Sequence, residues 1–522
     1  MMGGIKKSLP NLSLDFTFVS LYNRRKTTRQ VTVMHNIFPT PCQYIKKEGT
    51  FTFCDKLFMT VPENFSNRDF RMLAPELWKN FTAGKCELEI IKSPSLHTTA
   101  YISKTRQAII QNSKTDFEYE INCSEHGITL TFDGENGLVH AFSTLLQALP
   151  PYSIKKECFD LGCFAVTDRP SLSFRGMHLC VFPETSLLFL KKMVRLFGLM
   201  KCSHIVLEFF GMLKFDCFPH LAWQIGYSKS DLEPIISDGR ALGVEFIPMF
   251  NHFGHAGGSR FRSGKNTVLD RAPEYEEYFL PGGWTWNVEN PDVVALHEEM
   301  RSELCELFGK GRYFHMGCDE VYAAEPFADP YDKTDNESFM RFINNTAEKI
   351  NKSGRTPIMW GDMFLDDKDF PYPYCGNISH KCCDGEKNLA GLSDNVIIAD
   401  WQYNIDGSER RSVDLFLKYK DKSSLILCPW TGNDNIKGRC DIAKEYGLLG
   451  VMATTWNDIC RDPKFAVYTA CLMWENKETE TPANRWEVFK MMTAQNIRKL
   501  VPSNGIYENA GFYEMELDFK PV

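Results

Sequence analysis

From residue 174 onward, short apolar runs alternate with stretches whose apolar residues recur every three or four positions. The runs FRGMHLCV (174–181), SHIVLEFF (203–210), VEFIPMF (244–250), YFHMGCDE (313–320), TPIMWGDM (356–363), NVIIADWQY (395–403), LILCPWTG (425–432) and GVMATTW (450–456) read as strands buried on both faces. Between them, 185–200, 230–242, 291–308, 337–351, 414–420 and 436–446 have helical spacing, and 466–474 supplies a closing helix. Eight strand–helix units predict an α/β fold, a (β/α)8 TIM barrel. A doubly wound open sheet is the alternative, but no GxGxxG follows the first strand.

Upstream the rhythm differs. Residues 51–61 read as one strand, and 86–93 and 100–110 also alternate. Residues 117–134 read as two strands joined at His126-Gly127, and 136–149 as a helix ending at Pro150-Pro151. The expected organisation is a flexible N-terminal segment over 1–35 and a small α+β domain over 36–155. A linker within 153–170 would lead to the barrel over 165–475, followed by a C-terminal helix and tail over 476–522.

A length of 522 residues accommodates this plan. A net charge of -8, with no basic cluster, excludes a general nucleic-acid binder. No apolar run reaches membrane-spanning length. The N-terminus has no sustained apolar core of a signal peptide, which favours an intracellular location. Eight Asn-x-Ser/Thr sequons, at Asn11, Asn64, Asn80, Asn122, Asn336, Asn344, Asn351 and Asn377, favour a glycoprotein on a secretory route instead, so the compartment stays open. The 18 cysteines show no zinc-site spacing and read mostly as free buried thiols. No cofactor or metal is expected, and a homodimer stays open.

In a barrel, chemistry collects at the C-terminal ends of the strands. Polar and aromatic outliers fall there: His252 and His255 after strand 3, Asp319-Glu320 at strand 4, and Trp360 and Asp362 at strand 5. Asp400, Trp401, Gln402 and Tyr403 follow strand 6, Trp430 strand 7, and Trp456, Asn457 and Asp458 strand 8. Alone, an Asp-Glu pair after a strand reads as one solvated acid and one helix cap, and a Trp as core. Four tryptophans beside carboxylates and amides suit a sugar, whose C–H faces stack on rings while its hydroxyls take directed hydrogen bonds.

The run His315-x-Gly317-x-Asp319-Glu320 resembles the signature of glycoside hydrolase family 20, the β-N-acetylhexosaminidases. FRGMHL, FGHAGG, MWGDMF, ADWQY and TTWND resemble other segments of that family, and GCDEVY is similar to its hexosaminidase D type. The resemblance covers roughly residues 38–475, because the preceding α+β region is similar to the family's small non-catalytic domain. It implies an exo-acting enzyme that removes terminal β-linked N-acetylglucosamine or N-acetylgalactosamine from a glycan or glycoconjugate.

Adjacent acids do not easily flank a glycosidic bond, because successive strand side chains point to opposite faces. The family's solution is substrate assistance, in which the 2-acetamido carbonyl is the nucleophile and configuration is retained. On this resemblance Glu320 is the general acid and base, and Asp319 orients the acetamido N–H. Arg175 grips the sugar's 3- and 4-hydroxyls, and His255 sits near the acid. Trp360, Trp401 and Trp456 wall the pocket. Tyr403 or Trp430 meets the acetamido oxygen, and Asp458 meets the 4- or 6-hydroxyl.

Three places depart from the family pattern. Cys180, followed by VFPE, replaces an Asp and a basic pair; LEFFGMLKFD, with Glu208, replaces a His- and Asp-rich stretch; and strand 7 ends in Trp430 where many members carry a Tyr, with Tyr403 the nearest alternative. Two other readings remain. One is an N-acetylhexosamine-binding barrel without turnover. The other is a metal-dependent hydrolase using His252 and His255, which lack matching ligands at other strand ends.

Overall fold

The computed structural model describes residues 37–501 apart from 107–114, 257–267, 282, 322–335, 367–369, 371–384, 404–407, 457–462, 476–495 and 497. The N-terminal part is a seven-stranded sheet of β1 (Gln43–Phe53), β2 (Lys56–Pro62), β3 (Glu87–Ser93), β4 (Thr99–Ser103), β5 (Tyr119–Ser124), β6 (Gly127–Phe132) and β7 (Phe159–Asp168). Its spatial order is β1-β7-β5-β6-β4-β2-β3. The helices α1 (Arg68–Phe81) and α2 (Gly134–Ala148) belong to the same region. In α1 the Asn67 side chain caps the Phe70 N–H, and Phe70, Leu73, Ala74, Leu77, Trp78 and Phe81 form its buried stripe.

Two expectations change here. The single strand over 51–61 is broken at Cys54-Asp55, and its halves pair with different neighbours, β7 for the first and β3 and β4 for the second. Residues 159–168, read as part of a linker, form β7, which pairs antiparallel with both β1 and β5.

The barrel strands are β8 (Phe174–Val181), β9 (His204–Phe209), β10 (Glu245–Pro248), β11 (Tyr313–His315), β12 (Thr356–Trp360), β13 (Ile397–Asp400), β14 (Leu425–Leu427) and β15 (Gly450–Thr454). Seven parallel pairings run from β10 through β8 and β15 to β11. A parallel bridge between Met249 and His315 and a 3.2 Å bond from the Phe250 N–H to the His315 carbonyl join the last two edges. The fold is therefore a TIM barrel. Around it lie α3 (Leu187–Leu199), α4 (Lys229–Ala241), α5 (Val268–Arg271), α6 (Pro291–Phe308), α7 (Asn336–Lys352), α8 (Gly385–Gly391), α9 (Ser408–Phe416), α10 (Asn433–Tyr446) and α11 (Pro463–Trp474). The helix expected over 414–420 lies earlier, because 417–420 only wrap its end as turns. Among the described residues, no helix is long and apolar enough to cross a membrane, and the cysteines are free thiols.

The two layers meet at the barrel floor. There the buried Asp168 at the end of β7 accepts from Lys201 Nζ (3.0 Å), the Tyr119 hydroxyl (2.5 Å) and Trp474 Nε1 (3.0 Å). Each partner comes from a different part of the chain, so the sheet, the turn after α3 and the closing helix share one carboxylate. A buried charge is tolerated only when paired and hydrogen-bonded, and this one is both.

Candidate active site

Strand β11 stops at His315, and a tight curl follows. Gly317, Cys318 and Glu320 take φ of 67°, 68° and 44°. Gly317 is required on space as well, since a Cβ there would lie 2.0 Å from Asn251 Oδ1. The curl breaks the strand alternation that would point Asp319 and Glu320 apart. Instead both carboxylates reach one imidazole: His255 Nε2 is 3.2 Å from Asp319 Oδ2 and 3.1 Å from Glu320 Oε2. The side chains differ in access, with Asp319 5% exposed and Glu320 27%.

Glu320 is held at both ends of its backbone. Its N–H donates to Asp362 Oδ2 at 2.9 Å, and its carbonyl accepts from Trp284 Nε1 at 2.8 Å. The Trp284 ring lies 4.3 Å from the His255 ring. Gly254 presses on the same curl, where a Cβ would fall 2.0 Å from the Asp319 carbonyl oxygen. Left-handed φ in non-glycine residues is costly and persists where surroundings over-determine it. Four such residues, His255, Cys318, Glu320 and Trp456, lie at these strand ends.

Asp362 is buried and also accepts from Trp401 Nε1 at 3.3 Å. Burial, and then the nearby Asp319 charge, push its carboxyl well above the usual range. Trp401 belongs to an aromatic wall. Trp360 and Trp456 have centroids 5.6 Å apart, Trp401 and Tyr403 5.5 Å, and Tyr403 and Trp430 5.4 Å. Trp456 Nε1 donates to the Tyr403 hydroxyl at 2.7 Å, which lies 3.3 Å from Thr454 Oγ1. Burial raises the Tyr403 pKa, so its hydroxyl keeps a proton to donate. The buried indole N–H groups of Trp360 and Trp430 have no protein acceptor among the described residues.

The structure thus brings together Asp319, Glu320 and His255, and a set of Trp360, Trp401, Tyr403, Trp430 and Trp456. It does not bring Arg175 to them. Arg175 is the second residue of β8, at the N-terminal end of the barrel, whereas the site lies at the C-terminal ends. Its guanidinium donates to the carbonyls of Lys201 (2.9 Å) and Leu172 (2.8 Å) and lies 4.9 Å from the Trp474 ring centre. Asp458 lies outside the described residues.

His252 is a core residue. Its Nδ1 donates to the Phe250 carbonyl at 2.8 Å, and burial pushes its pKa down to about 3. Among the described residues, no cluster of three metal-ligating side chains includes His252 or His255. Trp284 was not singled out from sequence, because in a chain with 13% aromatic residues nothing marks a loop Trp as a carbonyl donor.

Residues 221–471 match the family model described as glycosyl hydrolase family 20, catalytic domain. The chain is 24% identical over 372 residues to Beta-hexosaminidase A of Caenorhabditis briggsae, covering 62% of each chain. It is 26% identical over 187 residues to Hexosaminidase D of Bos taurus, covering 34% of this chain and 52% of that one. It therefore spans only part of the length of these relatives. The solved structure of a GH20 exo beta-N-acetylglucosaminidase from Vibrio harveyi, in complex with N-acetylglucosamine, aligns with a TM-score of 0.63 at 14% identity, over 89% of this chain and 77% of that one. At that identity the likeness is one of fold.

Proposed function

Because residues 221–471 match the catalytic-domain model of glycosyl hydrolase family 20, we propose that this chain is a member of that family and hydrolyses terminal β-linked N-acetylhexosamine from glycans, acting from the non-reducing end with retention of configuration. The observation that carries the mechanism is the single imidazole shared by Asp319 and Glu320. A conventional retaining pair stands about 5–5.5 Å apart on either side of the bond, and an inverting pair about 6.5–9.5 Å. Two acids converging on one nitrogen from adjacent residues do not straddle a sugar. The nucleophile on the far face then comes from the substrate, as its acetamido oxygen.

The roles divide by exposure and charge. Glu320, the more open of the two, protonates the leaving oxygen and later takes a proton from water. Asp362 keeps its proton to higher pH, so Asp319 carries the anionic charge. That charge accepts the acetamido N–H and offsets the cation developing on the ring. The Tyr403 hydroxyl donates to the acetamido oxygen, with Trp456 Nε1 fixing its position. Trp360, Trp401 and Trp456 enclose the methyl group and the sugar face.

The test is turnover of aryl N-acetyl-β-glucosaminide and galactosaminide by the wild type, Glu320→Gln and Asp319→Asn. Loss of general acid–base catalysis should lower kcat about 10²–10⁴-fold in Glu320→Gln. Undiminished turnover in that variant would sink the mechanism. No turnover of either glycoside by the wild type, with retained sugar binding, would favour the non-catalytic binding reading instead.

A further inference from the structure

We infer that the barrel holds a zinc(II) site formed by His178 and Cys180 of β8 and Glu208 of β9, three side chains that the proposed glycosidase chemistry leaves without a role. His178 and Cys180 are two apart on one strand and so share its inward face, and Cys180 pairs directly with Glu208 across the β8–β9 ladder. All three are buried. Their donor atoms converge: His178 Nε2 lies 2.8 Å from Glu208 Oε2, Cys180 Sγ 3.9 Å from the same oxygen and 4.0 Å from that nitrogen. Ligands held at about 2.0–2.3 Å from one tetrahedral zinc lie roughly 3.3–3.8 Å from one another. Small side-chain rotations bring the sulfur contacts into that range. The shortest contact is a hydrogen bond, which opens as the ion replaces its proton.

The donor set selects the metal. One thiol, one imidazole and one carboxylate suit a borderline ion, whereas calcium and magnesium demand shells of oxygen. The charges also balance, since a dication offsets a thiolate and a carboxylate. An outer shell is in place on the carboxylate, whose Oε1 accepts from Asn251 Nδ2 at 2.6 Å. Binding releases one proton, that of the Cys180 thiol. The His178 proton moves from Nε2, which becomes the ligand, to Nδ1, which has no hydrogen-bond partner among the described residues. Glu208 also borders a cavity with Phe209, Met249, Phe250, Asn251 and His255, from which a water supplies the fourth ligand.

The test reads zinc without any substrate, so it stands or falls separately from the hydrolase reading. Full-length protein is purified without an immobilised-metal step, dialysed against limiting zinc, and assayed by elemental mass spectrometry. The expected result is about one tightly held zinc per wild-type chain, with affinity at least tenfold weaker in Cys180→Ser and in Glu208→Gln, and unchanged in a Cys382→Ser/Cys383→Ser control. X-ray absorption on the wild-type zinc protein covers the case in which a variant fails to fold. A shell of one sulfur with nitrogen and oxygen neighbours supports the site. A shell with no sulfur or with several, zinc that survives Cys180→Ser at full affinity, or a wild type that binds no zinc, overturns it.

Discussion

At the scale of single residues, the site rests on a division between two aspartates. Asp362 holds its proton because it is buried beside Asp319. An aspartate with a raised folded pKa is protonated in both states below about pH 4. Above that the unfolded chain ionises first, and stability falls until the pH passes the folded value. Melting temperature measured against pH should therefore decline from about pH 4 upward more steeply in the wild type than in Asp362→Asn. A second expectation concerns Trp284, whose indole N–H anchors the Glu320 carbonyl. Trp284→Phe keeps a ring against His255 and removes one hydrogen bond, worth about 1 kcal/mol, so kcat should fall roughly fivefold with little change in KM. A larger rise in KM than fall in kcat would argue that Trp284 touches substrate rather than positioning the acid. The Asp319–Glu320 pair proposed for catalysis and the tryptophans were legible in the sequence because they fall at strand ends beside polar residues. Arg175 misled because its motif lies on the first strand, and only the strand's direction tells which end of the barrel a residue occupies.

At the scale of elements, apolar runs located all eight barrel strands, and β8 matches its predicted 174–181 in full. The strands were read too long at their C-terminal ends. YFHMGCDE leaves the sheet after three residues, since Gly317, Cys318 and Glu320 adopt left-handed φ, which an apolar pattern does not encode. Other elements escaped, β7 and α1 among them. Strand β7 alternates in FDLGCFAVTD but carries Gly162 and flanking acids, so it reads as a connection. Helix α1 contains Pro75, which interrupts its pattern. The curl after β11 makes its own prediction. Gly254→Ala would place a methyl 2.0 Å from the Asp319 carbonyl and 2.9 Å from that of Glu320. The backbone must shift, at a cost of about 1–3 kcal/mol. Differential scanning calorimetry should show that loss, and activity should drop by more than the fraction unfolded explains.

At the scale of the molecule, the described residues fall in one compact unit, although the pattern of strands suggests a small domain followed by a barrel. The Asp168 junction accounts for much of this. Asp168→Asn would leave Lys201 buried without its charge partner, costing about 3–5 kcal/mol. Thermal unfolding should then move to lower temperature as a single transition; two separated transitions would show that the layers unfold independently. Arg175 belongs to the same junction through Trp474, which explains why a first-strand arginine serves the floor and not the pocket. The consequence reaches beyond stability. A gene fusion cut between sheet and barrel would sever a carboxylate and its phenol from their ammonium and indole at once. The barrel is therefore no portable cassette, and a working graft would have to carry its front sheet along.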